Sequence, residues 1–335
     1  MSDRHQCIRA TKRLARPIRQ RSRRLSVGIS LALLLLACAT AAPLHDHEAS
    51  TSLHGAKTEP ITPIPRPPAA DPLKLALGER LFADRRLSHD GTLACSSCHD
   101  LHTNGAARRT IARDGSKMPF PTLTVFNAAL SFRLNWEGNF RTLEAQTQSS
   151  LENPANMATS VNEVISRLSS DPQIVSQFTT AYGRGPDRDS LLNAIATFEG
   201  SLLTPDSRFD RWLEGDIAAL TTVEKTGYEL FKSFGCISCH QGVNVGGNLF
   251  QRHGIFHPLA SPLPELLRVP SLRNVATQAP YFHNGSAATL EDAVRQMGLA
   301  QLDRTLSDHQ VAAIVAFLNT LTGRFHGRPV TAASP

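Results

Sequence analysis

Two stretches of this 335-residue chain could do chemistry at once: Cys95-Ser-Ser-Cys98-His99 and Cys236-Ile-Ser-Cys239-His240. In C-x-x-C-H the two thiols are close enough to reach one porphyrin edge and add across its vinyl groups. The adjacent histidine is then placed to ligate the iron. Two dithiol redox pairs would leave both histidines unexplained. The reading is two covalently attached c-type haems, with His99 and His240 as proximal iron ligands. The remaining cysteines, Cys7 and Cys38, lie in or beside the N-terminal leader, so no disulfide is left to propose.

A second axial ligand sets what each haem does. A thioether raises the potential, whereas an open position admits small molecules. Methionine is scarce, and beyond Met1 only Met118, Met157 and Met297 are available. Met297, at the end of a short helical pattern after the second motif, is the axial candidate for the His240 haem, with core packing as the bland alternative. His253 and His257 are weaker rivals. After His99 the next histidine, His102, is too near to swing over the haem edge and reads as a surface loop residue.

The elements that must position these groups are helical. "LKLALGERLFAD" puts Leu73, Leu77, Leu81 and Phe82 at helical spacing. Thr221 with Glu224, and Ser307 with Gln310, are capping boxes that open two further helices, and Thr289 opens a third. The last helix carries Val311, Ile314, Val315, Leu318 and Leu321 on one face, with Gly323 as its stop. Strand-like alternation is scarce. The fold class is all-α, with two related haem units, each preceded by similar lettering.

The divisions are a leader over 1–42, a Pro-rich spacer over 43–72, an N-terminal haem domain over 73–204 and a C-terminal haem domain over 205–325. The net charge of +6 is misleading. Residues 1–24 carry nine Lys or Arg against one Asp, which leaves the rest of the chain at −2 and removes the case for a nucleic-acid partner. The apolar run after those residues reads as an export signal to the periplasm, and "LLAC" resembles a lipobox that would put a lipid on Cys38. His45, His47 and His54 read as solvated spacer residues.

From about Leu75 to Gly323 the chain resembles the bacterial di-haem cytochrome c peroxidases and their tryptophan-oxidising relatives. The resemblance rests on "CSSCH", "PTLTVFNAALSF", "NWEGNFRTLEAQ", "LLTPDSRFD", "GCISCHQGVNVGG", "VPSLRNVATQAPYFHNG" and "LEDAVRQMGLAQL", in the family's order. It implies two cytochrome c-like haem domains and an oxidoreductase that reduces hydrogen peroxide to water with electrons from a cytochrome c or cupredoxin. It implies Met297 as the second ligand of the His240 haem, Trp136 as a relay between haems, His283 near the C-terminal haem and Gln146 in the distal pocket. The family often forms homodimers and holds a calcium. The calcium-donating Asn is not matched here, Pro121 standing about where it would be, which counts against calcium.

Two departures matter. The family's distal His falls at about Arg113, so the far face of the His99 iron is expected to be open or water-filled, with Met118 as the other candidate to cap it. The family's acid/base Glu falls at Asn156, and Asn cannot take a proton at neutral pH. Arg113 or Asp114 is the candidate source of charge or a proton. The alternatives are a non-peroxidatic electron-transfer or sensing protein and a di-haem oxidase of a protein or organic substrate.

Overall fold

The computed structural model describes residues 59–333 apart from 107–114, 116–119 and 260–264. The leader, Cys38, the spacer histidines, Arg113, Asp114 and Met118 lie outside the described residues. The described residues are mostly helical: α1 (Pro72–Phe82), α2 (Leu143–Glu152), α3 (Val161–Ser169), α4 (Pro172–Tyr182), α5 (Arg188–Ser201), α6 (Arg208–Leu213), α7 (Thr222–Ser233), α8 (Leu290–Leu302) and α9 (Asp308–Asn319). Two short antiparallel hairpins, β1 (Phe250–Arg252) with β2 (Leu266–Arg268) and β3 (Arg324–Phe325) with β4 (Arg328–Pro329), complete the set. No helix among the described residues is long and apolar enough to cross a membrane.

Helix starts follow the local chemistry. Thr221 and Ser307 form the expected reciprocal capping boxes with Glu224 and Gln310, and the Thr289 hydroxyl accepts from Asp292 N at the head of α8. In α1, Leu77, Leu81 and Phe82 are buried, but Leu73 sits in the first turn and is exposed, outside the expected apolar face.

The same framework is built twice. In the first half α1 packs on α5, and a Cβ on Gly78 would lie 2.0 Å from the Ala194 carbonyl oxygen and 2.8 Å from Phe198 Cβ. In the second half α7 packs on α9, and a Cβ on Gly227 would lie 1.9 Å from the Ala313 carbonyl oxygen and 3.0 Å from Phe317 Cβ. Only glycine allows the helices to approach this closely. Between these helices both halves make the same bends. Asn127 and Asn274 are left-handed at φ 60° and 59°, and the bridges Leu134↔Phe140 and Tyr281↔Ala287 match. These pairs stand 147 residues apart, as do Trp136 and His283, Thr142 and Thr289, and Ser150 and Met297.

The halves meet at a buried polar hub. Asn127 N donates to Leu202 O and Asn274 N to Leu321 O, at 2.8 and 3.1 Å. Thr204 N donates to Asn127 Oδ1 and Gly323 N to Asn274 Oδ1, both at 2.9 Å. The Thr204 hydroxyl accepts from both Asn side-chain amides, at 2.8 and 3.0 Å. Gly323 is thus the counterpart of Thr204 and not the stop of the last helix, which ends four residues earlier at Asn319. A Cβ there would lie 1.9 Å from the Thr204 carbonyl oxygen.

The segments flanking the two halves are exchanged between them. Residues 59–66 do not behave as a spacer. Ile61 and Ile64 are buried, Ile61 in the second half's core, and Tyr228 OH donates to the Glu59 carboxylate at 2.7 Å. Arg273, itself buried, donates to Thr62 O and to Asp210 Oδ1, both at 2.7 Å. The tail after α9 goes the other way, with Val330 and Phe325 packed against Phe82, Val125, Phe126 and Phe198 of the first half.

Three substitutions at these buried contacts should lower stability. Thr204→Val strands two buried amides at about 1–3 kcal/mol each, and Gly323→Ala overpacks the same point by about 1–3 kcal/mol. Both are read as lowered urea midpoints of the haem-loaded protein. Asp210→Ala leaves the Arg273 charge buried and should cost about 3–5 kcal/mol. Replacing both residues with apolar ones recovers only part of that loss in the same unfolding experiment, because Thr62 O, Val243 O, Ile64 N and Ser207 N then lose their partners.

Candidate haem and peroxide site

A continuous cavity of about 620 Å³ runs through the described residues and is lined by both C-x-x-C-H motifs. Cys95, Cys98 and His99 line one slot with Gln146, Thr147, Ser150, Asn156 and Glu199. Cys236, His240, Ala293, Val294, Met297 and Leu318 line the other. Each motif enters as a tight turn, with His99 N and His240 N donating to Cys95 O and Cys236 O at 2.9 and 3.0 Å. This turn puts thiols and imidazole on one side of the chain.

The two candidate ligand histidines are set alike. His99 Nδ1 lies 3.1 Å from Gly105 O and His240 Nδ1 lies 3.2 Å from Val245 O. A carbonyl oxygen can only accept, so Nδ1 carries the proton and Nε2 keeps its lone pair for a metal. Burial pushes both imidazoles below the usual range, His240 to about 4, so both are neutral and able to ligate.

The residues present fit two c-type haems. The four thiols are free of disulfides and sit beside neutral, oriented imidazoles. Arg268 adds an independent sign. It is buried on the cavity wall, donates through Nε to Asn135 O at 3.0 Å, and forms no ion pair with a carboxylate among the described residues. Desolvation alone lowers its pKa. A buried unpaired charge is costly, and an anionic haem propionate is the partner that would relieve it.

The distal sides differ. By the 147-residue correspondence, Met297 on α8 matches Ser150 on α2, Val294 matches Thr147 and Ala293 matches Gln146. The second slot offers a thioether in an apolar wall. In the first slot Gln146 Nε2 donates to Ser150 Oγ at 2.9 Å, and Asn156 lines the wall just past α2. Glu152 faces away, its carboxylate accepting from Gln148 Nε2 at 2.9 Å. Met157 is in the first half's core.

Trp136 lines the cavity and donates through Nε1 to Pro121 O at 3.1 Å. Its ring lies 6.0 Å from Phe120, which lies 5.9 Å from His283. His283 occupies the repeat position of Trp136. It packs on His253 at 4.4 Å, behind the residues that line the cavity. His102 is exposed in the loop after the first motif, and His257 pairs with Asp303 at 2.8 Å on the surface. Arg268, Thr147, Ser150 and Glu199 were not singled out from sequence. Superposing the two halves at the 147-residue spacing would have found Thr147 and Ser150.

Comparison with known proteins gives the family. A family model described as di-haem cytochrome c peroxidase matches residues 72–218, and a cytochrome c model matches residues 224–322. The chain is 39% identical to the cytochrome c551 peroxidase of Nitrosomonas europaea, over 80% of this chain and 85% of that one. It is also 39% identical to a cytochrome c peroxidase of Escherichia coli over 80% of this chain, and it spans 62% of that longer protein. The crystal structure of a MauG-like protein associated with microbial copper homeostasis superposes with a TM-score of 0.67 at 28% identity, covering 78% of this chain and 93% of that one. Duplicated haem slots, one thioether-lined and one polar, together with these matches, place the chain in the di-haem cytochrome c peroxidase family, as an enzyme of the cytochrome-c-peroxidase type with two covalently attached c-type haems.

Proposed function

We propose that this protein is exported and reduces hydrogen peroxide to water, taking electrons singly from a small donor, a cytochrome c or cupredoxin. The carrying observation is the contrast between Met297 and Ser150 at equivalent positions of the two slots. When bound, the haems supply one-electron redox chemistry at iron. A thioether from Met297 favours the reduced state and suits the second slot to electron entry. Ser150 cannot serve in that way, and with Gln146 and Asn156 it makes a polar wall suited to water or peroxide.

The other residues take complementary parts. Trp136, on the shared cavity and in an aromatic series with Phe120 and His283, is the candidate relay between slots. Gln146 and Asn156 orient a bound peroxide by hydrogen bonds. Neither exchanges a proton at neutral pH, so Asn156 also favours a second reading, a non-peroxidatic electron-transfer or sensing protein. Export rests on the basic and apolar leader.

Ferric absorption and electron-spin spectra separate the two readings. We expect one high-spin haem that reacts with peroxide within seconds and one low-spin haem, with Met297→Ala turning the second haem high-spin as well. Two low-spin haems inert to peroxide would sink the peroxidase reading. Asn156→Glu returns a carboxyl group to the distal wall and should speed the peroxide reaction by about tenfold or more, measured by stopped-flow absorbance.

A further inference from the structure

Glu199 is a buried acid in the wall of the first slot, on the last turn of α5. Its Oε2 accepts from the Thr147 hydroxyl at 3.4 Å, and no cation pairs with it among the described residues. The second half shows what the fold puts there otherwise. Gly78 meets Ala194 and Phe198 as Gly227 meets Ala313 and Phe317, so the next residues, Glu199 and Leu318, correspond. Thr147 corresponds to Val294. All four side chains are buried and line the cavity. A hydrogen-bonded polar pair in the first slot therefore replaces an apolar pair in the second.

This replacement costs stability. Burying a carboxyl group with one long hydrogen bond is unfavourable, and Val294 with Leu318 shows that the framework does not require it. Desolvation pushes Glu199 up to about 8. The Thr147 hydrogen bond opposes that rise and the Glu144 carboxylate on α2 adds to it. Cys95, in the attachment turn, also lies near Glu199, but as a haem thioether it carries no titrating proton. α1 faces this stretch of α5 through Gly78 and Phe82, which do not titrate. The group is thus a neutral acid at pH 7, in a slot whose Asn156 cannot hold a proton.

We propose that Glu199, positioned by Thr147, is the proton-holding acid of the first haem slot and supplies the distal pocket during peroxide reduction. This rests on the peroxidase reading. Reduction of one hydrogen peroxide to two waters breaks the O–O bond and consumes two electrons and two protons. The electrons come from the donor protein. One proton passes from the Glu199 carboxyl through cavity water to the departing oxygen, and the second enters from solvent. Solvent then reprotonates the Glu199 carboxylate.

The test uses the full haem-loaded protein, with Glu199→Gln, Glu199→Asp and the double variant Thr147→Val with Glu199→Leu. The double variant copies the second slot's own pair, so it keeps the fold. Redox titrations from about pH 6 to 9.5 should show one haem potential falling as pH rises through about 8, because the carboxylate formed there favours the more positive ferric state. That dependence should vanish in Glu199→Gln and in the double variant. Both should react with peroxide at least about tenfold more slowly, with partial recovery in Glu199→Asp. A wild-type protein that consumes peroxide, with both variants equally fast and the pH dependence unchanged, overturns the inference and leaves the peroxidase reading standing. A wild-type protein inert to peroxide overturns that reading and the inference with it.

Discussion

The structure turns on a point where there is room for one side chain. The loops after α5 and α9 meet back to back, and each presents a backbone N–H to the asparagine that opens the neighbouring bend. At that contact one loop has Thr204 and the other has Gly323. A Cβ on the glycine would collide with the Thr204 backbone. The single hydroxyl has two lone pairs, and it spends both on the amides of Asn127 and Asn274. Both asparagines are held in the left-handed region, which Asn tolerates better than most residues. From those two fixed bends the chain runs to Trp136 and α2 in one half and to His283 and α8 in the other, so the hub sets where both distal walls begin.

Reciprocal bonds tie the proximal loops to the same frame. Asn104, five residues after His99, donates to Thr277 O beyond the second bend at 2.7 Å. Asn244, four residues after His240, donates to Asn127 O and Ser131 Oγ at 3.2 and 3.1 Å. Each haem-binding loop is therefore held by the bend of the opposite half. The exchanged flanking segments repeat this logic in apolar form, with Ile61 in one core and Val330 in the other. Neither half is complete without residues from both sides of the sequence midpoint.

Much of this was legible in the sequence where the signal is local. The two attachment motifs, the capping boxes of α7 and α9 and the apolar face of α9 are short-range patterns, and their chemistry is the same in any fold. Gly323 was misread because a glycine after an apolar helix suits a stop, whereas its reason is a contact with a residue more than a hundred positions away. Residues 59–66 were misread because their prolines hide two isoleucines too few to show a period, and a core supplied by α7 and α9 gives them their place. Glu199 and Arg268 have no local pattern that marks them in the sequence. Only burial distinguishes them, and burial is a property of the packed chain.

The proximal sides of the two slots are nearly alike: the same attachment turn, the same neutral imidazole, the same backbone carbonyl on Nδ1. A difference between the two haems therefore cannot come from the motif that attaches them. The other lining residues do differ: Gln146, Thr147, Ser150 and Glu199 in the first slot stand where Ala293, Val294, Met297 and Leu318 stand in the second. A thioether in an apolar wall stabilises reduced iron and keeps water away, which suits electron transfer. A wall of hydroxyl, amide and carboxyl groups holds water and protons, which O–O cleavage consumes. With the backbone frame duplicated, the division of labour proposed here, electrons in one slot and protons in the other, needs four substitutions on two helices of each half.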